Sequence, residues 1–163
     1  MMPLRGTAVR DIFASVPTGV VALAAETASG PALLVASSFS VGVSFDPPMC
    51  AVAVQATSRT WPGLRAASRI GVSVLGTSQA AVIDALASRD STDRFRHVER
   101  HVTEEGAVLL AGAALWLECE IAASHDAGDH EIVLLRVHAA AETADVEPVV
   151  LHRRAYNRPQ LLR

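Results

Sequence analysis

The apolar runs of this chain are short and closely punctuated, which restricts it to a fold assembled from many brief strands. Residues 20–25, 32–36, 49–54 and 70–75 are each apolar and each stop at turn-forming or polar residues. Residues 114–122 alternate, with Leu115, Leu117, Cys119 and Ile121 on one face and Trp116, Glu118 and Glu120 on the other. After a polar turn at 124–129, residues 130–138 resume the pattern and predict a hairpin with that strand. Residues 149–151 read as a last short strand. Helical spacing is confined to three pieces. Residues 6–15 carry Val9, Ile12 and Phe13, residues 61–68 follow Thr60 as N-cap with Pro62 in the first turn, and residues 77–88 carry Ala81, Ile83 and Leu86. Residues 89–105 are charged and irregular, as expected of a surface loop or lid. About seven strands and two or three helices predict a mainly β fold, an antiparallel barrel with peripheral helices, in one domain spanning 1–163. No G-x-G-x-x-G follows a strand, so a nicotinamide nucleotide would not bind in the Rossmann manner.

Composition removes several function classes. Half of the 163 residues are apolar but only 4% are aromatic, so the core is built from Ala, Val and Leu. The mean hydropathy is positive, an excess that predicts burial against a second copy, a homodimer. A net charge of −3 with scattered basic residues gives no footprint for nucleic acid. All 14 basic residues are arginine, so Schiff-base chemistry and a P-loop lysine are excluded. Cys50 and Cys119 lie in apolar runs without a CxxC, as buried structural thiols do. Residues 1–11 have no long apolar core and no run approaches a membrane span, which predicts a cytoplasmic protein without membrane association.

The richest stretch is 36–48, ASSFSVGVSFDPP. Its small and hydroxyl residues leave backbone N–H groups accessible, Val41, Val43 and Phe45 alternate as in a half-buried strand, and Asp46-Pro47-Pro48 ends it in a rigid turn. Such a segment suits a loop around an anionic, planar ligand at a barrel mouth. Ser58-Arg59-Thr60 lies between a strand end and a helix start, where N–H groups, two hydroxyls and a guanidinium can converge on a phosphate; ordinary capping by Thr60 is the competing explanation. His125-Asp126-Ala127-Gly128-Asp129-His130 is the densest ionisable cluster, but its histidines flank a turn, and His97 and His101 sit among surface charges. The second pair has i,i+4 spacing, but its charged neighbours favour a solvated surface, and neither group is read as a metal site.

In order and interval, TGVVAL, ASSFSVGVSFDPP, SRTWPGLRAASRIGVSVL, DRF, LWLEC, HDAGDH and LHRRAY resemble the flavin reductase-like, FMN-binding split-barrel family, from about Phe13 to Tyr156. The resemblance implies a homodimeric split barrel that reduces FMN or FAD with NADH or NADPH and hands the reduced flavin to a partner monooxygenase. It places Ala36, Ser37, Ser38 and Phe39 along the flavin, has Ser44, Asp46, Pro47 and Pro48 shape the same loop, and gives the phosphate to Ser58 and Thr60. Arg94 and Phe95 lie near the site, His130 contacts the nicotinamide, and Tyr156 walls the pocket. The chain departs from the family at Leu33 and Val35, where Gly and Thr are common, at Ser73, where Asn is frequent, and at Leu135-Arg136, in place of Gly-Glu. Two other readings are a flavin-binding or electron-transfer module without NAD(P)H turnover, and a split-barrel flavoenzyme acting on a small organic substrate.

Overall fold

In the computed structural model, which describes residues 7–88 and 94–160, the expected short runs become one seven-stranded antiparallel sheet, except 149–151, whose strand lies in a separate three-stranded sheet. Helix α1 (Thr7–Phe13) and strand β1 (Thr18–Gly19) lead into β2 (Val21–Ala25), β3 (Ala32–Ala36), β4 (Phe39–Phe45) and β5 (Pro48–Gln55). Helix α2 (Trp61–Arg65), β6 (Ile70–Val74) and α3 (Ile83–Leu86) follow, then β7 (Arg100–Val102) and β8 (Val108–Leu110). The long strands β9 (Leu115–Ala127) and β10 (His130–Glu142) precede β11 (Val150–His152) and β12 (Ala155–Asn157). The order in the large sheet is β3-β2-β6-β9-β10-β5-β4.

Two apolar clusters explain the sequence patterns. Val21, Leu23, Cys50, Val52, Val54, Ile70, Val72, Leu117, Cys119, Val133 and Leu135 fill the first, which receives side chains from both halves of the sheet. The sheet therefore curls around it, and α2 closes it with Trp61 and Leu64. Val20, Ala22, Ala24 and Leu33 point the other way, into a second cluster with Leu75, Ile83, Leu86, Val108 and Leu110. Strand β2 is buried on both faces and so reads as an unbroken apolar run. Its neighbour β3 follows the same two-residue period, with Ala32, Leu34 and Ala36 on the first cluster and Leu33 and Val35 on the second. Cys50 and Cys119 are free and buried inside the barrel, the Cys50 thiol donates to the Leu135 carbonyl at 3.8 Å, and the neighbouring Cys50, then burial, hold the Cys119 thiol well above its ordinary range.

Edge strands β3 and β4 carry no ladder to one another, and this gap is the split in the barrel. The chain crosses it at Ser37-Ser38, and the Ser38 hydroxyl donates to the Ala53 carbonyl at 2.7 Å, tying the crossing to β5.

Several local expectations need correction. Val41, Val43 and Phe45 are not half-buried; they are 62%, 46% and 88% exposed. Between Ser40 and Ser44 the ladder to β5 is broken around Gly42 (φ 70°), so this part of the edge strand turns outward. The peptide Asp46-Pro47 is cis and closes the β4–β5 hairpin. Residues 77–88 do not form one α-helix. Thr77–Val82 is a 3-10 turn ahead of the four-residue α3. Buried Gln79 fixes it by accepting from the Gly76 N–H (2.8 Å) and donating to the Ala111 carbonyl (3.0 Å). The charged segment contains β7, paired with β8, although neither was expected as a strand. Residues 124–127 belong to β9, and the turn narrows to Gly128-Asp129, with Gly128 at φ 69° supplying the twist a two-residue hairpin requires. Asp93 of the DRF segment lies outside the described residues, as do Gly6 and Arg163.

Candidate active site

The split opens into a cleft of about 1200 Å³. β3 and Ser37-Ser38 form one wall, and residues 53–55 at the end of β5, the segment 57–60, Arg94, Phe95 and His130 line the rest. Strand β3 runs along the cleft, so positions along it give the site a direction.

Near one end of β3 is a cationic corner. The Arg94 guanidinium donates through Nε to the Ser88 carbonyl (2.7 Å), through Nη1 to the Thr60 hydroxyl (2.9 Å), and through Nη1 to the Leu33 carbonyl. Burial, and secondarily the nearby charge of Arg59, lower its pKa, but a guanidinium remains protonated under such a shift. Arg59 is exposed at the same corner. Among the described residues no carboxylate pairs with Arg59 or Arg94. Two cations that meet no carboxylate among the described residues, beside the Ser58 and Thr60 hydroxyls, have the chemistry to bind an anion.

Thr60 is not a capping residue in the expected sense. Its backbone is already helical (φ −84°, ψ −34°) and its hydroxyl makes no cap hydrogen bond. The Ser58 hydroxyl instead accepts from the Trp61 N–H at 3.2 Å. Helix α2 is only 5 residues long, so the attraction for an anion comes from the arginines and hydroxyls, not from a helix end.

Gln55 joins this corner to the histidine. Its carbonyl accepts from the Ser58 N–H at 3.0 Å, and in the ladder it stands opposite His130, the first residue of β10. The Asp129 carbonyl accepts from the Ala56 N–H at 3.0 Å, so the hairpin turn is fastened to β5. His130 Nδ1 lies 2.7 Å from Asp129 Oδ1. That contact leaves Nε2 as the ring nitrogen available to a ligand, and it holds the Asp129 carboxyl below its ordinary range.

The structure thus brings Ala36, Ser37, Ser38, Ser58, Thr60, Arg94, Phe95 and His130 to one cleft. It does not bring Phe39, Ser44, Asp46, Pro47 or Tyr156 there. Phe39 packs on the first cluster. Ser44, Asp46 and Pro47 sit at the far end of β4, where Asp46 and Pro47 are exposed. Tyr156 packs on the second cluster, and its hydroxyl donates to Asp84 at 3.0 Å. The departures at Leu33 and Val35 direct their side chains to the second cluster, and position 33 serves the site through its carbonyl. Sequence reasoning missed that carbonyl, and it missed the wall formed by the β2–β3 turn, since neither has a distinctive residue type.

Comparison with known proteins decides the family, because the flavin reductase like domain matches residues 13–160. The chain belongs to the flavin reductase like family. It is 34% identical over 155 residues to a Rhizobium meliloti protein named "Probable flavin reductase", covering 94% of this chain but only 49% of that protein, so the chain spans about half of that relative's length. The NADH:FAD oxidoreductase SgcE6 of Streptomyces globisporus C-1027 superposes with a TM-score of 0.87 at 30% identity, covering 98% of both chains. The styrene monooxygenase flavin reductase of Pseudomonas putida S12 superposes with a TM-score of 0.81 at 30% identity, covering 94% of this chain and 97% of that one. The mainly β barrel expected from the residues, and the split in it that the resemblance implied, are the fold this chain shares with these family members.

Proposed function

We propose that this chain, read as one domain over 1–163, is an NAD(P)H-dependent flavin reductase that supplies reduced FMN or FAD to a separate monooxygenase. One observation supports the reading above all: two arginines that pair with no carboxylate among the described residues converge with Ser58 and Thr60 in a cleft that also holds a hairpin-anchored His130. Those donors fit a flavin phosphate without any lysine. Ala36, Ser37 and Ser38 line the flavin, with the Ser38 hydroxyl committed to Ala53 so that its backbone is held in place. Phe95 and Arg94 cover the flavin from the segment after α3.

When bound together, the nicotinamide and the flavin supply the hydride chemistry themselves. The work of the chain is to orient them and keep water out. His130 holds the nicotinamide through Nε2 and needs no proton transfer to do so. Asp129 sets its ring orientation.

The functional unit is a homodimer. Val41, Val43 and Phe45 on β4 are exposed, as is Ile132 on β10, and a second copy covers this face. On this reading Ser44, Asp46 and Pro47 act at the interface, and Tyr156 is structural. Among the described residues no helix is long and apolar enough to cross a membrane.

A steady-state assay crossing NADH and NADPH with FMN, FAD and riboflavin tests the proposal. Nucleotide oxidation that depends on added flavin is expected. A flavin that binds tightly without any nucleotide oxidation would support a carrier module instead.

A further inference from the structure

Strand β10 opens with two residues that point opposite ways. His130 faces the cleft. Glu131, the next residue, falls by alternation on the same face as Val133 and Leu135, which fill the first cluster. Helix α2 closes that cluster, and Arg65 in its last turn reaches the hairpin. The Arg65 guanidinium donates through Nη1 to Glu131 Oε2 at 3.2 Å and through Nη2 to the Ser124 hydroxyl at 3.1 Å. Ser124 belongs to β9, so one arginine spans both strands of the hairpin that carries His130.

Helix α2 is a short bar between the two elements that face the cleft. It starts directly after Thr60, whose hydroxyl meets Arg94, and at ~1.5 Å per residue Arg65 stands roughly 8 Å further along. On the other side β5 completes the frame, where Gln55 pairs with His130 and the Ala56 N–H donates to the Asp129 carbonyl at 3.0 Å. Segment 57–60 and His130 are therefore joined by two routes, one through backbone and one through Arg65. The second route also cancels a repulsion. In the ladder Glu131 stands directly opposite Asp126, and like charges so placed push the strands apart. The Glu131 side chain is only 14% exposed, so water screens its charge little and Arg65 supplies the opposing one. An ion pair whose arginine is 55% exposed adds little to overall stability. What it contributes is the placement of the hairpin.

We infer that Arg65 is a positioning residue for hydride transfer: by clamping Ser124 and balancing Glu131 against Asp126, it holds the start of β10, and with it His130, at a fixed distance from the Ser58–Thr60 corner. The inference rests on the flavin reductase reading. Arg65, Ser124 and Glu131 do not line the cleft, so Arg65 acts through the hairpin and touches no ligand. Reacting atoms must be held about 3–3.5 Å apart, and a hairpin displaced by ~1 Å costs rate more than affinity.

The test compares Arg65→Met, Arg65→Lys and the double variant Arg65→Met/Glu131→Gln with the unmodified protein. In ligand-free protein, hydrogen–deuterium exchange of the amides of residues 124–131 should quicken in Arg65→Met, while the rest of the barrel and the Tm stay near wild type. With NADH or NADPH and flavin, the kcat of Arg65→Met should fall about ten-fold at an unchanged flavin dissociation constant. Adding Glu131→Gln removes the repulsion and should restore much of both the exchange pattern and kcat. Arg65→Lys, whose ammonium reaches only one of the two strands, should keep part of both. Unchanged exchange and kcat in Arg65→Met would overturn the inference. So would exchange that quickens throughout the barrel with a falling Tm, because the pair would then be merely structural, and so would a double variant no better than the single one. If the unmodified protein oxidises no nucleotide with any flavin, the reductase reading falls and the positioning role with it. If it does and Arg65→Met matches it, only this inference falls.

Discussion

Arg94 is held by three acceptors, the Ser88 and Leu33 carbonyls and the Thr60 hydroxyl, none of which bears a formal charge. Among the described residues the guanidinium is therefore fixed in place without being neutralised, which leaves its charge for a ligand. Arg94→Gln should weaken FMN and FAD binding by ~1.5–3 kcal/mol, and Thr60→Val by ~1 kcal/mol, with riboflavin, which lacks the phosphate, little affected in the same titration. Uniform loss for all three flavins would place the phosphate elsewhere. At the residue proposed to hold the nicotinamide, His130→Ala should raise the KM for the nicotinamide nucleotide while flavin affinity stays near wild type; parallel loss of both would make the histidine structural. Tyr156 gives a prediction about pH. Burial, and then its hydrogen bond to Asp84, raise its pKa above 10.0. A raised folded-state value favours the protonated phenol, so this contribution to stability is complete below about pH 10 and is lost as pH climbs through the folded value. Thermal melts from neutral to strongly alkaline pH should fall less steeply at the alkaline end for Tyr156→Phe than for wild type.

Among the elements, the closest approach is between β6 and β8. A Cβ on Gly71 would sit 2.1 Å from the Val108 carbonyl oxygen and 2.9 Å from Leu109 Cδ2. Gly71→Ala must push β8 off the sheet, at ~1–3 kcal/mol. For a chain of this size that corresponds to a fall in Tm of about 2–4 °C per kcal/mol, which calorimetry would resolve. The elements also show why some of the fold could be read from sequence and some could not. Strands β2, β3, β5, β6, β9 and β10 were legible because each is stamped with a two-residue period or a continuous apolar run by the clusters on its faces. The 3-10 turn at Thr77–Val82 was not, since it depends on Gln79 reaching across to Ala111, a contact 32 residues away. β7 and β8 were hidden because their pairing partner, not their own pattern, makes them strands. In the cleft, Ser58 and Thr60 were legible from their place between strand and helix, although the hydroxyl that accepts from the helix start is Ser58 and not Thr60. The Leu33 carbonyl and the β2–β3 turn act through backbone, which residue identity does not display.

For the molecule as a whole, the exposed Val41, Val43 and Phe45 contradict a half-buried strand only while a single chain is considered. An edge strand bearing three apolar side chains is an open invitation to association, which the proposed homodimer would answer. Phe45→Glu together with Val43→Glu should shift the sedimentation coefficient from dimer to monomer; unchanged sedimentation would mean that another face carries the contact. The cleft belongs to a flavin reductase like domain, and it brings Arg59, Arg94, the Ser37-Ser38 crossing and His130 together. The measurement that tests this most directly is the anaerobic mixing of protein, NADH or NADPH, and flavin, followed by the visible absorbance of oxidised flavin. Rapid bleaching that requires the protein, and that slows when Arg94 is replaced by Gln, is the predicted result. Bleaching no faster than in protein-free controls, with either nucleotide and either flavin, would contradict the account.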